Sequence, residues 1–245
     1  MEKQRIQKLM SLFGVCSRKK AEELIKKKQV YCNNKLVKLG DKASRNDVLK
    51  IGEKNICLNQ KVEKKYYVLN KPKGVLTTLK DDFNRKTILS LIKKFNIKQR
   101  VYPVGRLDLN SQGMLILTND GEFSNFLMHP KNQIEKTYKV TIEKELKAIH
   151  VNKLKDGVLV NGFKTAKAKV ELIFKSSKKS IFLITICEGK KRQIRNMVKK
   201  VVGCQIKKLE RIAIGGLKLK NVAVGQIKQL SLKEVELLKN KSTNL

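Results

Sequence analysis

Residues 105–118 read GRLDLNSQGMLILT, and this stretch decides how the larger part of the chain is expected to fold. Its second half is an unbroken apolar run of the length that a buried strand needs. Its first half carries Arg106 and Asp108 between two glycines, as a loop does. We therefore predict a core strand at residues 113–118, preceded by a loop that holds one arginine and one aspartate.

The segments on both sides of this stretch continue the pattern. Further strands are predicted at residues 66–69, 137–142, 168–174, 181–187 and 207–212, and helices at 87–95, 121–128, 191–202 and 232–239. Strands outnumber helices, and several strands follow one another directly. This favours an α+β fold in which helices flank a mainly antiparallel or mixed β-sheet. The Gly-x-Gly-x-x-Gly and Walker-type sequences of nucleotide-cofactor folds are missing.

The first 60 residues predict a smaller αα-β unit. One helix covers residues 6–13 and stops at Gly14, and a second, crowded with lysine, begins after Ser17 as its N-cap. Two hairpins follow, at residues 30–37 around Asn33-Asn34 and at residues 48–58. We predict an N-terminal domain at 1–60, a linker at 61–65 and a second domain at 66–245.

Charge points to a polyanion as the partner. The chain has 56 Lys plus Arg against 21 Asp plus Glu, a net charge of +35. Nucleic acid and anionic membranes are the cellular polyanions that match such a charge. No apolar stretch is long enough to span a bilayer, and the N-terminus lacks the apolar segment of a secretory signal. We expect a cytoplasmic protein without a membrane partner.

The residue counts also limit the chemistry. Five scattered cysteines and two histidines make a structural zinc site or a disulfide framework a poor fit. A reaction would therefore depend on Asp, Glu, Tyr, Lys or Arg. Only nine of the 56 basic residues are arginine, so Arg106, Arg192 and Arg195 are candidates for tasks that need a planar guanidinium.

Four segments contain candidate functional residues. Asn70-Lys71-Pro72-Lys73-Gly74 is a turn with two lysines, and Gly105-Arg106-Leu107-Asp108 holds a carboxylate that could act as a nucleophile. Taken alone, Asp108 equally fits an ion pair or an Asx-turn. Glu135-Lys136-Thr137-Tyr138 opens a strand. Residues 189–197, GKKRQIRNM, place Arg192 and Arg195 at a basic helix start, where phosphate or a carboxylate could dock.

In this order and at these separations, the four segments resemble the RsuA/RluB family of ribosomal RNA pseudouridine synthases. Residues 1–60 resemble the RNA-binding domain named after ribosomal protein S-four, so that the resemblance covers nearly the whole chain. It implies an isomerase that detaches uracil from its ribose, rotates the ring and rejoins it through a ring carbon. Such a reaction needs no metal and no small-molecule cofactor.

The resemblance also implies a role for each matching position. Asp108 is the nucleophile, Tyr138 stacks beneath the uracil and assists proton removal, and Arg195 pairs with Asp108 in a bidentate manner. Other positions are expected to contact RNA or support the pocket: Arg106, Lys71, Lys73, Arg192 and, on the second helix of the N-terminal domain, Arg18, Lys19 and Lys20. The expected partner is ribosomal RNA or a pre-ribosomal particle, and the expected state is a monomer.

Three questions stay open at the level of sequence. Segments 120–122, 127–130 and 208–211 resemble the large-subunit branch and favour 23S over 16S RNA as the target. One carboxylate could attack the ribose, attack the pyrimidine ring, or act on the sugar as a base. A non-catalytic RNA-binding or ribosome-assembly protein would show the same charge, whereas an Asp-dependent nuclease would need a second carboxylate or a metal cluster.

Overall fold

The structure, a computed structural model, describes residues 3–59 and 62–240. Outside the described residues lie both ends of the predicted N-terminal domain 1–60, the first residue of the predicted linker 61–65 and the last five residues of the predicted domain 66–245. Two compact units are present, one up to Lys65 together with Asn119–Gly121 and the other formed by the remainder. Among the described helices, none has the length and apolar character needed to cross a membrane.

The N-terminal unit is built from two helices and short strands. Ser17 caps the second helix by accepting a hydrogen bond from the Lys20 amide at 3.1 Å, as its position predicts. Asn33 and Asn34 have φ values of 49° and 65° and form the predicted hairpin turn. The elements are β1 (Gln4–Arg5), α1 (Ile6–Leu12), α2 (Arg18–Lys26), β2 (Val30–Cys32), β3 (Lys35–Leu36), β4 (Lys42–Ala43), β5 (Val48–Ile51) and β6 (Lys54–Cys57).

The larger unit contains the remaining strands and helices. Its strands are β7 (Tyr66–Lys71), β8 (Tyr102–Pro103), β9 (Gln112–Thr118), β10 (Lys136–Ile142), β11 (Leu159–Val160), β12 (Phe163–Lys164), β13 (Lys169–Lys175), β14 (Ser180–Ile186), β15 (Ile206–Ile214), β16 (Leu217–Lys218) and β17 (Ile227–Gln229). Its helices are α3 (Ile88–Lys94), α4 (Gly121–Met128), α5 (Ala148–Lys155), α6 (Gln193–Val202) and α7 (Leu232–Leu237), with a 3-10 turn at Pro130–Asn132.

One sheet organises this unit. Its strands lie in the order β13-β14-β10-β15-β9-β7-β17, with β16 beside β15 and β8 beside β9. The β15–β9 pair is parallel and the other pairs are antiparallel, so the predicted mixed sheet of an α+β fold is confirmed. Helix α5 was not predicted, because Ile149 is exposed and only Leu154 of this helix is a buried apolar residue.

Each face of the sheet has its own core. Apolar side chains of α3, α5 and α6 cover one face, where Leu69, Leu115, Val140 and Phe182 are buried. Helices α4 and α7 cover the other face, over Met114 and Ile116. Successive residues of a strand point to opposite faces, so β9 contributes to both cores. The stretch that follows Asp108 therefore forms an interior strand that is buried on both faces, as its apolar run predicts.

Candidate active site

Asp108 lies in the loop that leads into β9. Its side chain is 37% exposed, so the carboxylate can be reached from solvent. Backbone hydrogen bonds fix the loop: the Ser111 amide donates to the Asp108 carbonyl at 3.0 Å, and the Gly74 amide donates to the Leu109 carbonyl at 2.9 Å. The Thr77 hydroxyl accepts from the Leu107 amide at 3.2 Å and donates to the Leu107 carbonyl at 2.7 Å. Asp108 is thus presented by a rigid backbone.

Arg195, in the first turn of α6, reaches this loop from the helix side. Its Nη2 donates to the Asn110 carbonyl at 2.7 Å and to the Ser111 hydroxyl at 3.2 Å. Its Nε lies 3.9 Å from Asp108 Oδ2 and has no hydrogen-bond partner within the described chain. The contact with Asp108 is therefore single and long, whereas the resemblance implies a bidentate pair. Burial and the charge of Arg192 lower the pKa of Arg195, and Asp108 opposes this shift.

Lys71 supports the same loop from β7. Its side chain is fully buried, and Nζ donates to the carbonyls of Pro72 at 2.9 Å and Ser111 at 3.0 Å. Burial lowers the pKa of Lys71 to about 8, and the charge of Asp108 acts in the opposite direction. A buried lysine is rare unless something compensates its charge. Here the bond from Lys71 to the Ser111 carbonyl fixes the backbone that carries Asp108, and the bond to the Pro72 carbonyl holds Lys71 against its own turn.

Tyr138 on β10 is 91% buried and faces Arg211 on β15, its direct cross-strand neighbour. The Arg211 guanidinium carbon lies 6.0 Å from the ring centroid, and Nη1 lies 3.5 Å from the phenol oxygen. Arg211 Nε donates to the Met114 carbonyl at 2.7 Å, whereas Nη2 has no hydrogen-bond partner within the described chain. Arg211 forms no ion pair among the described residues, so a buried cation adjoins the tyrosine. Burial lowers the pKa of Lys136, and the charge of Arg211 adds to this shift.

Strand register aligns these groups in one row. Lys71 pairs with Gly113, Gly113 with Arg211, and Arg211 with Tyr138, across four adjacent strands. Gly113 has a φ of +104°, and a Cβ atom there would lie 2.3 Å from the Arg211 carbonyl oxygen, so only glycine fits. Paired residues share a face, and this row lies on the face covered by α6. Lys71, Arg211 and Tyr138 therefore project toward the same side as Arg195.

The other predicted basic residues are solvent-exposed. Arg106 lies two residues before Asp108, Lys73 precedes Gly74, whose amide bonds the Leu109 carbonyl, and Arg192 is the N-cap of α6 with a left-handed φ of 53°. Within the described residues, no hydrogen bond or ion pair joins these three side chains to Asp108. Arg18, Lys19 and Lys20 are exposed on α2 of the other unit. All six side chains are accessible to a charged ligand.

Hydrogen bonds also hold the turn that positions α6. Glu188 Oε1 accepts from the Gln193 side chain at 2.6 Å and from the Ala166 amide at 2.9 Å, and Gln193 Oε1 accepts from the Lys190 amide at 3.0 Å. No side chain caps the first turn of α6. The basic turn is therefore stabilised by Glu188 and Gln193, which we did not identify from the sequence.

The structure brings Asp108, Arg195 and Lys71 together around one loop, with Tyr138 and Arg211 in the adjoining row of the sheet. Sequence reasoning did not assign roles to Arg211 or Ser111. The scarcity of arginine was a usable signal for Arg211, since it is one of nine in the chain. Its position opposite Tyr138 depends on strand pairing and has no local sequence signature.

Comparison with known proteins gives consistent results. Residues 65–200 match the sequence model of the family described as RNA pseudouridylate synthase, and residues 4–49 match that of the S4 domain. The chain is 40% identical to the ribosomal large subunit pseudouridine synthase B of Bacillus subtilis (strain 168), over 96% of each chain. It is 33% identical to the dual-specificity RNA pseudouridine synthase RluF of Escherichia coli (strain K12), covering 98% of this chain and 81% of that protein.

A solved structure supports the same assignment. The crystal structure of a pseudouridylate synthase superimposes with a TM-score of 0.69 at 27% identity, covering 96% of this chain and 99% of that one.

Proposed function

Because the chain belongs to the RNA pseudouridylate synthase family, is of the RsuA/RluF type and carries an S4 domain, we propose that it isomerises a uridine of large-subunit (23S) ribosomal RNA with Asp108 as the nucleophile. The predicted family and the predicted activity, conversion of uridine to pseudouridine in RNA, are confirmed. The single observation that carries the proposed nucleophile is the convergence of Arg195 and Lys71 on the loop of a solvent-accessible Asp108.

The proposed reaction uses Asp108 as an ionised carboxylate. It attacks either the anomeric carbon of the ribose or a carbon of the pyrimidine ring, and both routes break the bond between the ring nitrogen and the sugar. The ring then rotates and a ring carbon bonds to the anomeric carbon of the ribose, while the bond to Asp108 breaks and regenerates the free carboxylate. The proton removed from that ring carbon is balanced by a proton gained at the freed ring nitrogen. Arg195 and Lys71 hold the loop through Asn110 and Ser111, which orients the carboxylate before the substrate binds.

Tyr138 is the proposed base-stacking and proton-removing group. Arg211 Nη1 lies within hydrogen-bond distance of its oxygen, so the phenol group is held from one side and its oxygen has a further lone pair that can face the substrate. The buried charge of Arg211 also lies beside Tyr138, on which we propose that the uracil ring stacks, and negative charge develops on that ring as it is detached. A fixed cation at such a position stabilises a transition state without reorganisation.

RNA contacts account for the exposed basic residues. The target nucleotide must leave its stack, which costs a few kcal/mol, and contacts to the backbone offset this cost. We assign Arg106 to the space or the phosphate of the flipped nucleotide, and Lys73 and Arg192 to neighbouring phosphates. Arg18, Lys19 and Lys20 of α2 are proposed to dock the N-terminal unit on RNA.

The proposed substrate is 23S ribosomal RNA, free or within a pre-ribosomal particle in the cytoplasm, with the chain acting as a monomer in ribosome biogenesis. The 40% identical relative is a ribosomal large subunit enzyme, which supports 23S over the alternative, 16S RNA. The 33% identical relative has a dual-specificity name, so the substrate does not follow from membership of the family alone.

Mapping pseudouridines in ribosomal RNA tests the proposal. RNA from cells with the chain, without it, and with an Asp108→Ala form should be compared nucleotide by nucleotide. We expect one 23S position to lose its pseudouridine in the second and third strains and no other position to change. A change confined to 16S RNA would reject the substrate, and modification persisting with Asp108→Ala would reject the nucleophile.

A further inference from the structure

The segment between β7 and α3 projects an aromatic ring into solvent, and hydrogen bonds at the base of this segment join it to the residue before Asp108. We name residues 77–87 the tip loop. Its base is anchored by Thr77, whose hydroxyl bonds both backbone groups of Leu107, the residue before Asp108. The loop is closed by hydrogen bonds from the Leu76 amide to the Lys86 carbonyl and from the Ile88 amide to the Leu76 carbonyl.

Asp81 organises the interior of the tip loop. Its carboxylate accepts from the backbone amides of Phe83 at 3.1 Å and Arg85 at 2.9 Å, and from the Arg85 guanidinium at 2.5 and 3.1 Å. These bonds lower the pKa of Asp81 to about 2, with the side-chain bond from Arg85 as the largest cause. The carboxylate is therefore ionised at neutral pH, the state in which it accepts all of these hydrogen bonds.

The consequence is an aromatic ring presented outward. Phe83 is 76% exposed, and the Arg85 guanidinium carbon lies 4.9 Å from its ring centroid. An isolated exposed phenylalanine is common on protein surfaces. Here, however, an arginine lies against the ring and the Asp81 carboxylate bonds to both residues, so the pair forms a prepared stacking platform.

Charge favours a nucleic acid over a basic or purely apolar ligand. Asp81 is paired with Arg85, and Asp82 forms an ion pair with Lys80 at 2.9 Å, so neither carboxylate faces a phosphate unopposed. The segment also carries Lys86, which leaves it with a net positive charge. Phenylalanine and arginine are the side chains on which unpaired bases stack in single-stranded RNA complexes.

We propose that Phe83, backed by Arg85, stacks on an unpaired base of the RNA near the target uridine, a step that rests on the proposed function. Phe83 follows Thr77 by six residues, so an extended chain places it at most about 20 Å from the contact between Thr77 and Leu107. A few nucleotides span such a distance. Removal of the target base from its stack also exposes faces of its neighbours, which are then available to an aromatic side chain.

Fluorescence provides a direct test, because the chain contains no tryptophan. Phe83→Trp introduces a single fluorophore at the tip, and Leu232→Trp introduces one at a position that is 82% exposed on α7, as a matched control. Both full-length proteins are titrated with transcribed fragments of 23S ribosomal RNA. We expect saturable quenching at position 83 and none at 232. Absence of quenching at 83, or equal quenching at both, would overturn the proposal.

Affinity gives a second measurement of the same contact. Phe83→Ala should weaken binding of the RNA fragment that quenches by about 5- to 100-fold, and Leu232→Ala should leave it within twofold. Thermal stability should not change in either variant, because both side chains are exposed. Equal affinities for the two variants would contradict the proposal. Binding that depends on Phe83 without pseudouridine formation by the wild type would reject the proposed function and leave the stacking contact in place.

Discussion

The surroundings of Asp108 and the surface of helix α2 use charge in opposite ways. Around Asp108, Lys71 and Arg195 are buried, and each is bound to defined carbonyl oxygens. On α2, Arg18 and Lys19 are exposed. Lys20 forms an ion pair with Glu23, and both of these side chains are about half exposed. A buried charge that forms specific bonds depends on its identity and position, whereas an exposed charge depends mainly on its sign. We therefore expect substitutions in the first region to alter the reaction and substitutions in the second to alter affinity.

The largest effect on the side of the reaction, apart from loss of Asp108 itself, is expected for Arg195→Lys. Lysine keeps the charge but cannot donate to both Asn110 and Ser111 while placing a second N–H toward Asp108 in the same plane. We expect the single-turnover rate of pseudouridine formation to fall by about 10²-fold, with RNA affinity nearly unchanged. Arg45→Lys, on the surface of the N-terminal unit, is the control. Equal rates for the two variants would show that a positive charge alone suffices near Asp108.

The buried state of Lys71 predicts an unusual dependence of stability on pH. Its folded-state pKa of about 8 lies below the ordinary value of 10.5, so above pH 8 the folded chain loses this proton first. The unfolded state then binds more protons, and stability increases with pH across this interval. Relative to Lys71→Met, the wild-type free energy of unfolding should rise by about 3 kcal/mol between these two pH values.

Urea unfolding at a series of pH values measures this difference. Lys73→Met, which removes an exposed lysine from the same segment, should follow the wild type throughout. Parallel curves for the wild type and Lys71→Met would mean that Lys71 is not buried as a cation.

A smaller effect is expected for Arg211. Arg211→Lys should slow the reaction about tenfold, equivalent to about 1.4 kcal/mol, because the bond to the Tyr138 phenol is lost. In a Tyr138→Phe background the same substitution should have little further effect on rate, since the phenol is already absent. A double-mutant cycle on single-turnover rates measures the coupling. Independent effects of the two substitutions would remove Arg211 from the site.

The smallest effect is expected on α2. Lys19→Gln should weaken RNA binding by about fourfold at 0.15 M salt and reduce the slope of log K against log salt by about 0.7. Turnover of bound RNA should not change. Lys178→Gln, in the turn between β13 and β14, is the control with an exposed lysine. A loss of turnover with Lys19→Gln at saturating RNA would end the distinction between the two regions.

Local signals made much of the fold predictable. The Ser17 cap, the Asn33-Asn34 turn, the apolar run of β9 and the amphipathic α6 each depend on residues that are neighbours in sequence. Helix α5 has no clear apolar stripe and was missed. The order of strands in the large sheet depends on pairings between distant segments, which no local pattern contains.

The candidate site was predictable in its residue types more than in its geometry. Segment matches identified Asp108, Tyr138 and Arg195, and the scarcity of arginine supported the last of these. Nothing local indicates that Lys71 is fully buried, because lysine is normally exposed. Nor does sequence place Arg211 opposite Tyr138, since the two residues meet only through the pairing of β10 with β15.

The most direct test of this division of labour is a single-turnover assay of Asp108→Asn on saturating transcribed 23S ribosomal RNA, with the affinity for that RNA measured in parallel. We predict a loss of pseudouridine formation on the order of 10⁴-fold or more, because the nucleophile is absent, together with an affinity close to that of the wild type. Pseudouridine formation at the wild-type rate by Asp108→Asn would contradict the account.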